Sequence, residues 1–307
     1  MNNYVIFILG VICAGIGGEL FIRGTIGLAR WLRVSAGIIG ITITAFATSS
    51  PELSVAINSA IEGKPQIALG DALGSNVVNV ALILGIALCF GKIKANRNDL
   101  IPNYIVLLIS PIILAIFALD SLISRFDGII MLVIFALWIT KVTIDAYKQR
   151  DDSDTATNKT NEWLSIVLGL IGLGLLIAAG RLIVVSASSI AQILNVDRFI
   201  IGAVIVAFGT SVPELATILI SKIKGHDDIG INTIFGSNIF NGLFIIGIAS
   251  TICPIVLSKT EVFIVLAFGI ISSAMTLPSH KGHLDRWRGV LLLSVYISFI
   301  FVSFLYK

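Results

Sequence analysis

The chain has 307 residues, of which 56% are hydrophobic and only 13% charged, with a net charge of +3. At a mean hydropathy of +1.00, too little polar surface remains to cover a soluble core, in which about a quarter of residues would be charged. A cytosolic enzyme is excluded, and an all-α polytopic membrane protein is expected.

Taken in chain order, apolar runs of spanning length recur ten times, near 4–29, 36–61, 66–91, 101–119, 127–147, 163–193, 198–221, 229–252, 260–277 and 287–306. The first lacks a basic leader and runs on through Glu19 and Arg23, so it reads as a span and not as a cleavable signal peptide. Glu19 and Arg23 stand four residues apart and are expected to pair, while Arg181 in the sixth run reaches toward the outer surface. Connectors after odd-numbered spans carry thirteen lysines and arginines against five in the remaining connectors and the C-terminus. That bias places both termini outside and the odd connectors in the cytoplasm. The polar stretch 148–162, KQRDDSDTATNKTNE, reads as a cytoplasmic linker between five-span halves at 1–147 and 163–307. Cys13, Cys89 and Cys253 are isolated, and His226, His280 and His283 all fall in connectors. This argues against a disulfide framework, a histidine metal site or a histidine proton relay.

The two halves resemble each other. GIIGITITAFATSSPEL at 37–53 aligns with FIIGAVIVAFGTSVPEL at 199–215, and LGSNVVNVALILGI at 73–86 with FGSNIFNGLFIIGI at 235–248, both at an offset of 162 residues. An odd number of spans per half makes the second copy enter the membrane upside down. The expected fold is therefore ten transmembrane helices in two inverted five-helix repeats, the layout of secondary transporters.

The repeated residues carry the chemistry. Glu52 and Glu214 sit near the middle of spans two and seven, where an ionisable group is costly and marks a functional site by default. Pro51 and Pro213 clash with the carbonyls of Ala47 and Gly209 and break both helices. The carbonyls around Ala45–Thr48 and Ala207–Thr210 then lose their donors, which membranes tolerate only inside protein or beside water. Thr48, Ser49, Thr210 and Ser211 add hydroxyls, and Ser75, Asn79, Ser237 and Asn241 add more oxygens on neighbouring spans. Each feature has a plainer reading: pairing of a glutamate with Arg23 or Arg181, a simple proline kink, or small polar residues joining helices. Taken together, two carboxylates among neutral oxygens suit Ca²⁺ and Na⁺ and disfavour zinc or copper. Two carboxylates balance one divalent ion, and competition by Na⁺ for the same oxygens is a physical basis for antiport.

The pair ATSSPEL and GTSVPEL, each followed about twenty residues later by GSNVVN or GSNIFN, resembles the two alpha repeats of the cation/calcium antiporter superfamily, most closely its ten-helix prokaryotic sodium/calcium exchangers. The resemblance implies four central cation sites. Glu52 and Glu214 would take Ca²⁺ with the carbonyls of Thr48 and Thr210. The carbonyls of Ala45 and Ala207, with Ser49, Ser211, Ser75 and Ser237, would serve flanking Na⁺ sites, and Asn79 and Asn241 would fill the remaining central positions. Asparagine at both central positions argues against potassium dependence. The expected function is exchange of Na⁺ for Ca²⁺ across the cell membrane by alternating access, with no cofactor and no nucleic-acid partner. A proton/calcium antiporter of the same superfamily and a cation channel are the alternatives. Asp71, opposite Thr233 in the other copy, reads as a charge at the rim.

Overall fold

The computed structural model describes residues 3–94, 97–148, 162–193, 207–279 and 282–305. The expected linker and the first part of the seventh span lie outside the described residues. Helix α1 covers Asn3–Leu32, and α2 (Ala36–Thr48) and α3 (Ser50–Ile61) form one bent pair. There follow α4 (Pro65–Phe90), α5 (Arg97–Phe117), α6 (Arg125–Lys148), α7 (Glu162–Ile193), α8 (Ala207–Thr210), α9 (Val212–Ile223), α10 (Asp227–Ile252), α11 (Lys259–Ala274) and α12 (Arg286–Leu305). Among the described residues seven helices are long and apolar enough to cross a membrane, or eight if the α2–α3 pair counts as one span. Large apolar side chains stay exposed along them, as at Tyr4, Ile8 and Ile16 of α1. That is how helices look when lipid takes the place of a second protein layer.

The helix breaks come one or two residues before the prolines. Ser49 leaves helical geometry at φ −86°, ψ 9°, and α2 and α3 are bent by 45°. Ser211 does the same at φ −87°, ψ 8°, between α8 and α9. Helical bonding resumes across each break, with the Leu53 amide donating to Ser49 O at 3.1 Å and Leu215 to Ser211 O at 3.0 Å. Proline lacks an amide hydrogen and is tolerated in a first helical turn, so both halves restart their helix there.

Two features were not foreseen. Helix α4 runs unbroken through Gly74, where a side chain would meet no atom of the described residues within 4 Å. The distortion sits further on, in π-helical turns at Val78–Leu84 of α4 and Phe240–Ile245 of α10. The other addition is two short antiparallel pairs. Strands β1 (Ile93–Lys94) and β2 (Leu122–Ile123) come from the first half of the chain, and β3 (Ile255–Val256) and β4 (His283–Leu284) from the second. β1 pairs with β4 and β2 with β3.

The chain forms two compact units, each drawing on both halves: 1–48 with 138–233, and 49–137 with 234–307. In the first, α1 packs along α7. A Cβ on Gly10 would meet Ile183, one on Gly17 would meet Leu175, and one on Gly24 would lie 2.4 Å from Gly169 N. As α1 advances, its partner on α7 falls back, so the two helices run antiparallel. Contact this close requires glycine. A Cβ on Gly172 would fall 2.4 Å from Phe21 N, whereas one on Gly174 would meet nothing. Gly172→Ala should therefore cost about 1–3 kcal/mol through overpacking, while Gly174→Ala on the same helix should be neutral or slightly stabilising. Thermal unfolding of the two purified variants in detergent measures the difference.

Candidate functional site

The twelve residues singled out from the repeats divide evenly between the units. The first unit holds Ala45 and Thr48 on α2, Ala207 and Thr210 on α8, Ser211 at the break, and Glu214 in the first turn of α9. Thr48, Ser211 and Glu214 are buried, at 0%, 0% and 1% exposure. Thr48 Oγ1 donates to the carbonyl of Ala45 at 3.3 Å, so that carbonyl and the neighbouring hydroxyl lie together. Ser211 Oγ has no hydrogen-bond partner among the described residues. A carboxylate in the first turn of a helix meets the positive end of the helix dipole, which offsets part of its burial cost.

The second unit holds Ser49 at the other break, Glu52 in the first turn of α3, Ser75 and Asn79 on α4, and Ser237 and Asn241 on α10. All six are buried. Ser75 Oγ, Asn79 Oδ1 and both amide atoms of Asn241 have no hydrogen-bond partner among the described residues. A buried polar atom left without a partner costs about 1–3 kcal/mol, and native proteins hold few of them. Their concentration on the repeated motif fits a site that offers its oxygens to a polar guest. The donors are carboxylate, hydroxyl, amide and backbone oxygens. Among the described residues no cluster of three or more His, Cys, Asp or Glu occurs. This is the donor set of a hard cation, not of zinc or copper.

Two neighbours hold this arrangement, and neither was among the candidate ligands. Asn76 Nδ2 donates to Asn238 O at 3.2 Å, and Asn238 Nδ2 returns the bond to Asn76 O at 2.9 Å. These residues are counterparts at the 162-residue offset, so α4 and α10 clasp each other through equivalent side chains. Asn79 Nδ2 also donates to Asn238 Oδ1 at 3.0 Å. The equivalent bond from Asn241 to Asn76 is not made, and both of its atoms stand without a partner among the described residues. Beside the clasp, a cavity of about 20 Å³ is lined by Asn76, Asn238, Ser110 and Ser273 among apolar side chains, room for one water-sized group. The sequence signal was present, since both asparagines recur in GSN, but they read only as markers of the repeat.

Charges elsewhere are used structurally. Glu19 Oε1 accepts from Arg23 Nε at 2.5 Å, as expected, and also from Lys224 Nζ at 2.7 Å. The second bond ties the middle of α1 to the end of α9. The first bond occupies Arg23, which was one possible partner for the buried glutamates.

Known proteins resemble this chain along nearly its whole length. A family model described as sodium/calcium exchanger protein matches twice, over residues 2–143 and 164–305. The inner membrane protein YrbG of Escherichia coli (strain K12) is 30% identical, over 81% of this chain and 79% of its own. The sodium/calcium exchanger MaX1 of Methanosarcina acetivorans is 25% identical over 98% of each chain. Among solved structures, the sodium-calcium exchanger NCX_Mj soaked with 2.5 mM Na⁺ and 10 mM Sr²⁺ matches with a TM-score of 0.83 and 28% identity, covering 97% of each chain. Both matches of the family model begin and end 162 residues apart, the offset at which the buried glutamates, serines and asparagines recur. The chain is a multi-pass membrane protein of the sodium/calcium exchanger family, a family of antiporters.

Proposed function

We propose that this protein exchanges Na⁺ for Ca²⁺ across the cell membrane by alternating access, using two inverted five-helix repeats of ten spans in all. Two observations support the inversion. Helices α1 and α7, which correspond at the repeat offset, run antiparallel, and Asn76 and Asn238 bond reciprocally, as residues related by a local two-fold axis would.

In this reading Glu52 and Glu214 hold Ca²⁺ together with the carbonyls of Thr48 and Thr210. Na⁺ competes through the carbonyls of Ala45 and Ala207, the hydroxyls of Ser49, Ser211, Ser75 and Ser237, and the amides of Asn79 and Asn241. The observation that carries it is the set of buried oxygens on Ser75, Asn79, Ser211 and Asn241 that have no partner among the described residues. One carboxylate from each repeat balances a divalent ion, and the remaining oxygens can replace sodium's hydration shell. Calcium uptake into proteoliposomes under an outward Na⁺ gradient, set against a pH gradient of equal size, tests it. Uptake that follows sodium supports the reading. Uptake that follows pH and ignores sodium assigns the coupling to protons.

The termini lie outside and the linker at 148–162 faces the cytoplasm, on the lysine and arginine distribution. In a background without the native cysteines, single cysteines placed in 151–158 should react with an impermeant maleimide only from the cytoplasmic side. Labelling from outside inverts the topology.

A further inference from the structure

The two central asparagines are held differently, and the clasp between α4 and α10 sets the difference. Asn76, Asn79, Asn238 and Asn241 all belong to the second unit. Asn76 and Asn79 lie three residues apart on α4, as Asn238 and Asn241 do on α10, so each pair shares a helix face. In both helices the π-helical turns begin at the residue just before the central asparagine, at Val78 and at Phe240. Such turns gather at functional sites.

The hydrogen bonds across the clasp have a direction. They start at a backbone carbonyl, Asn76 O, which can only accept. Asn238 must therefore turn its amide nitrogen toward that carbonyl, and Nδ2 donates to it at 2.9 Å. The other end of the same amide is then an acceptor, and Asn238 Oδ1 takes the bond from Asn79 Nδ2 at 3.0 Å. With its nitrogen committed, Asn79 keeps its oxygen for a guest: Asn79 Oδ1 is buried and has no hydrogen-bond partner among the described residues. An amide that met a cation with its NH₂ group would repel it. The direction of this relay thus decides which end of Asn79 an ion can meet. Asn241 has no equivalent anchor. Asn76 Nδ2 is committed to Asn238 O at 3.2 Å, while Asn76 Oδ1 and both amide atoms of Asn241 stand without a partner among the described residues.

We propose that Asn238 is a positioning residue for sodium: it locks the Asn79 amide with its oxygen presented to Na⁺, whereas Asn241 is not oriented in advance. The inference rests on the reading that Asn79 is a sodium ligand, and it gives Asn238 no contact with the ion. Because the relay begins at the main chain of Asn76, it does not need the Asn76 side chain.

The test is release of radioactive Ca²⁺ from proteoliposomes against external Na⁺, with calcium–calcium exchange in sodium-free medium as a separate measure of Ca²⁺ binding. Asn238→Leu roughly keeps the volume and removes the relay. Losing one orienting hydrogen bond predicts a half-saturating Na⁺ about threefold to tenfold higher. Half-saturating Ca²⁺ and the maximal rate of calcium–calcium exchange should stay near wild type. Asn76→Leu breaks the clasp from its other side but leaves the relay intact. It should lower the unfolding temperature in detergent about as much as Asn238→Leu does, while half-saturating Na⁺ stays near wild type. In an Asn79→Ala background, which itself raises half-saturating Na⁺, adding Asn238→Leu should cause no further rise, because the two residues act as one unit. Normal half-saturating Na⁺ in Asn238→Leu overturns the proposal, as do additive effects of the two substitutions or an equal shift in Asn76→Leu. If Asn238→Leu does not fold, Asn238→Ser, too short to bridge Asn76 O and Asn79, carries the same expectations and the same refutations. Asn79→Ala with normal half-saturating Na⁺ removes the reading of Asn79 as a ligand. A raised value there beside a normal one in Asn238→Leu removes only the positioning role.

Discussion

Glu214→Gln is expected to abolish sodium-driven calcium exchange while the protein still folds and inserts, and Glu52→Gln to do the same. Glutamine keeps the shape and one oxygen acceptor, so the packing of Glu214 at 1% exposure and Glu52 at 1% exposure should be preserved. What is lost is half of the negative charge that balances a divalent ion. Removing one partner from a buried ionic arrangement costs about 3–5 kcal/mol, which corresponds to a loss in Ca²⁺ affinity of about 150-fold to 5000-fold. Two measurements separate the effect from misfolding. Radioactive calcium uptake in proteoliposomes should fall to background, and thermal unfolding in detergent should lose its stabilisation by added Ca²⁺ while keeping a cooperative transition. Near-normal exchange in either variant would take that glutamate out of the site. The two variants should also be equally damaging, because each glutamate stands in the first turn of a twelve-residue helix after a break of the same geometry.

How much of this was readable beforehand depended on whether a feature belongs to one stretch of chain or to the meeting of two. The helix breaks were readable, since a proline two residues inside a new helix acts locally, and both breaks fell where Pro51 and Pro213 demanded. The buried glutamates were readable because a charge in the middle of an apolar run is too costly to be incidental. The Asn76–Asn238 clasp was not, although both residues recur in the repeat, because their contact exists only once α4 packs on α10. Lys224, 205 residues from Glu19, was hidden for the same reason. The π-helical turns at Val78–Leu84 and Phe240–Ile245 have no residue code: nothing in VNVALIL or FNGLFI announces an i→i+5 bond. The two-residue strand pairs were beyond any pattern of alternation, being too short to have one. By contrast, Gly10, Gly17 and Gly24 recur every seven residues along α1. That spacing carries the signal of a close helix crossing, which the reading of the sequence passed over, and the α1–α7 packing uses all three.

Calcium flux through this protein is expected to be driven by sodium without any need for potassium, and to respond to an imposed membrane potential. The argument is one of charge. In the proposed centre Glu52 and Glu214 supply two negative charges, and Asn79 and Asn241 contribute dipoles only. One Ca²⁺ neutralises that pair. A K⁺ carried beside it would leave an unbalanced positive charge in a buried site, at a desolvation cost of several kcal/mol, so co-transport of potassium requires a third carboxylate that these positions do not provide. Sodium returns through the same oxygens. If two Na⁺ replace one Ca²⁺ the exchange is neutral, and every further Na⁺ moves one net charge across the membrane. Moving one charge through 100 mV is worth about 2.3 kcal/mol, enough to shift the equilibrium calcium gradient by about fiftyfold. The serine hydroxyls and the carbonyls of the broken helices offer oxygens beyond those one Ca²⁺ and two Na⁺ would use, which favours the larger sodium count. Calcium accumulated by proteoliposomes at a fixed sodium gradient should therefore change steeply with a clamped potential, and should be the same with potassium or choline as the other cation. An absolute requirement for potassium would place a negative charge in the centre that Asn79 and Asn241 do not carry, whereas indifference to voltage would fix the exchange at two sodium ions per calcium.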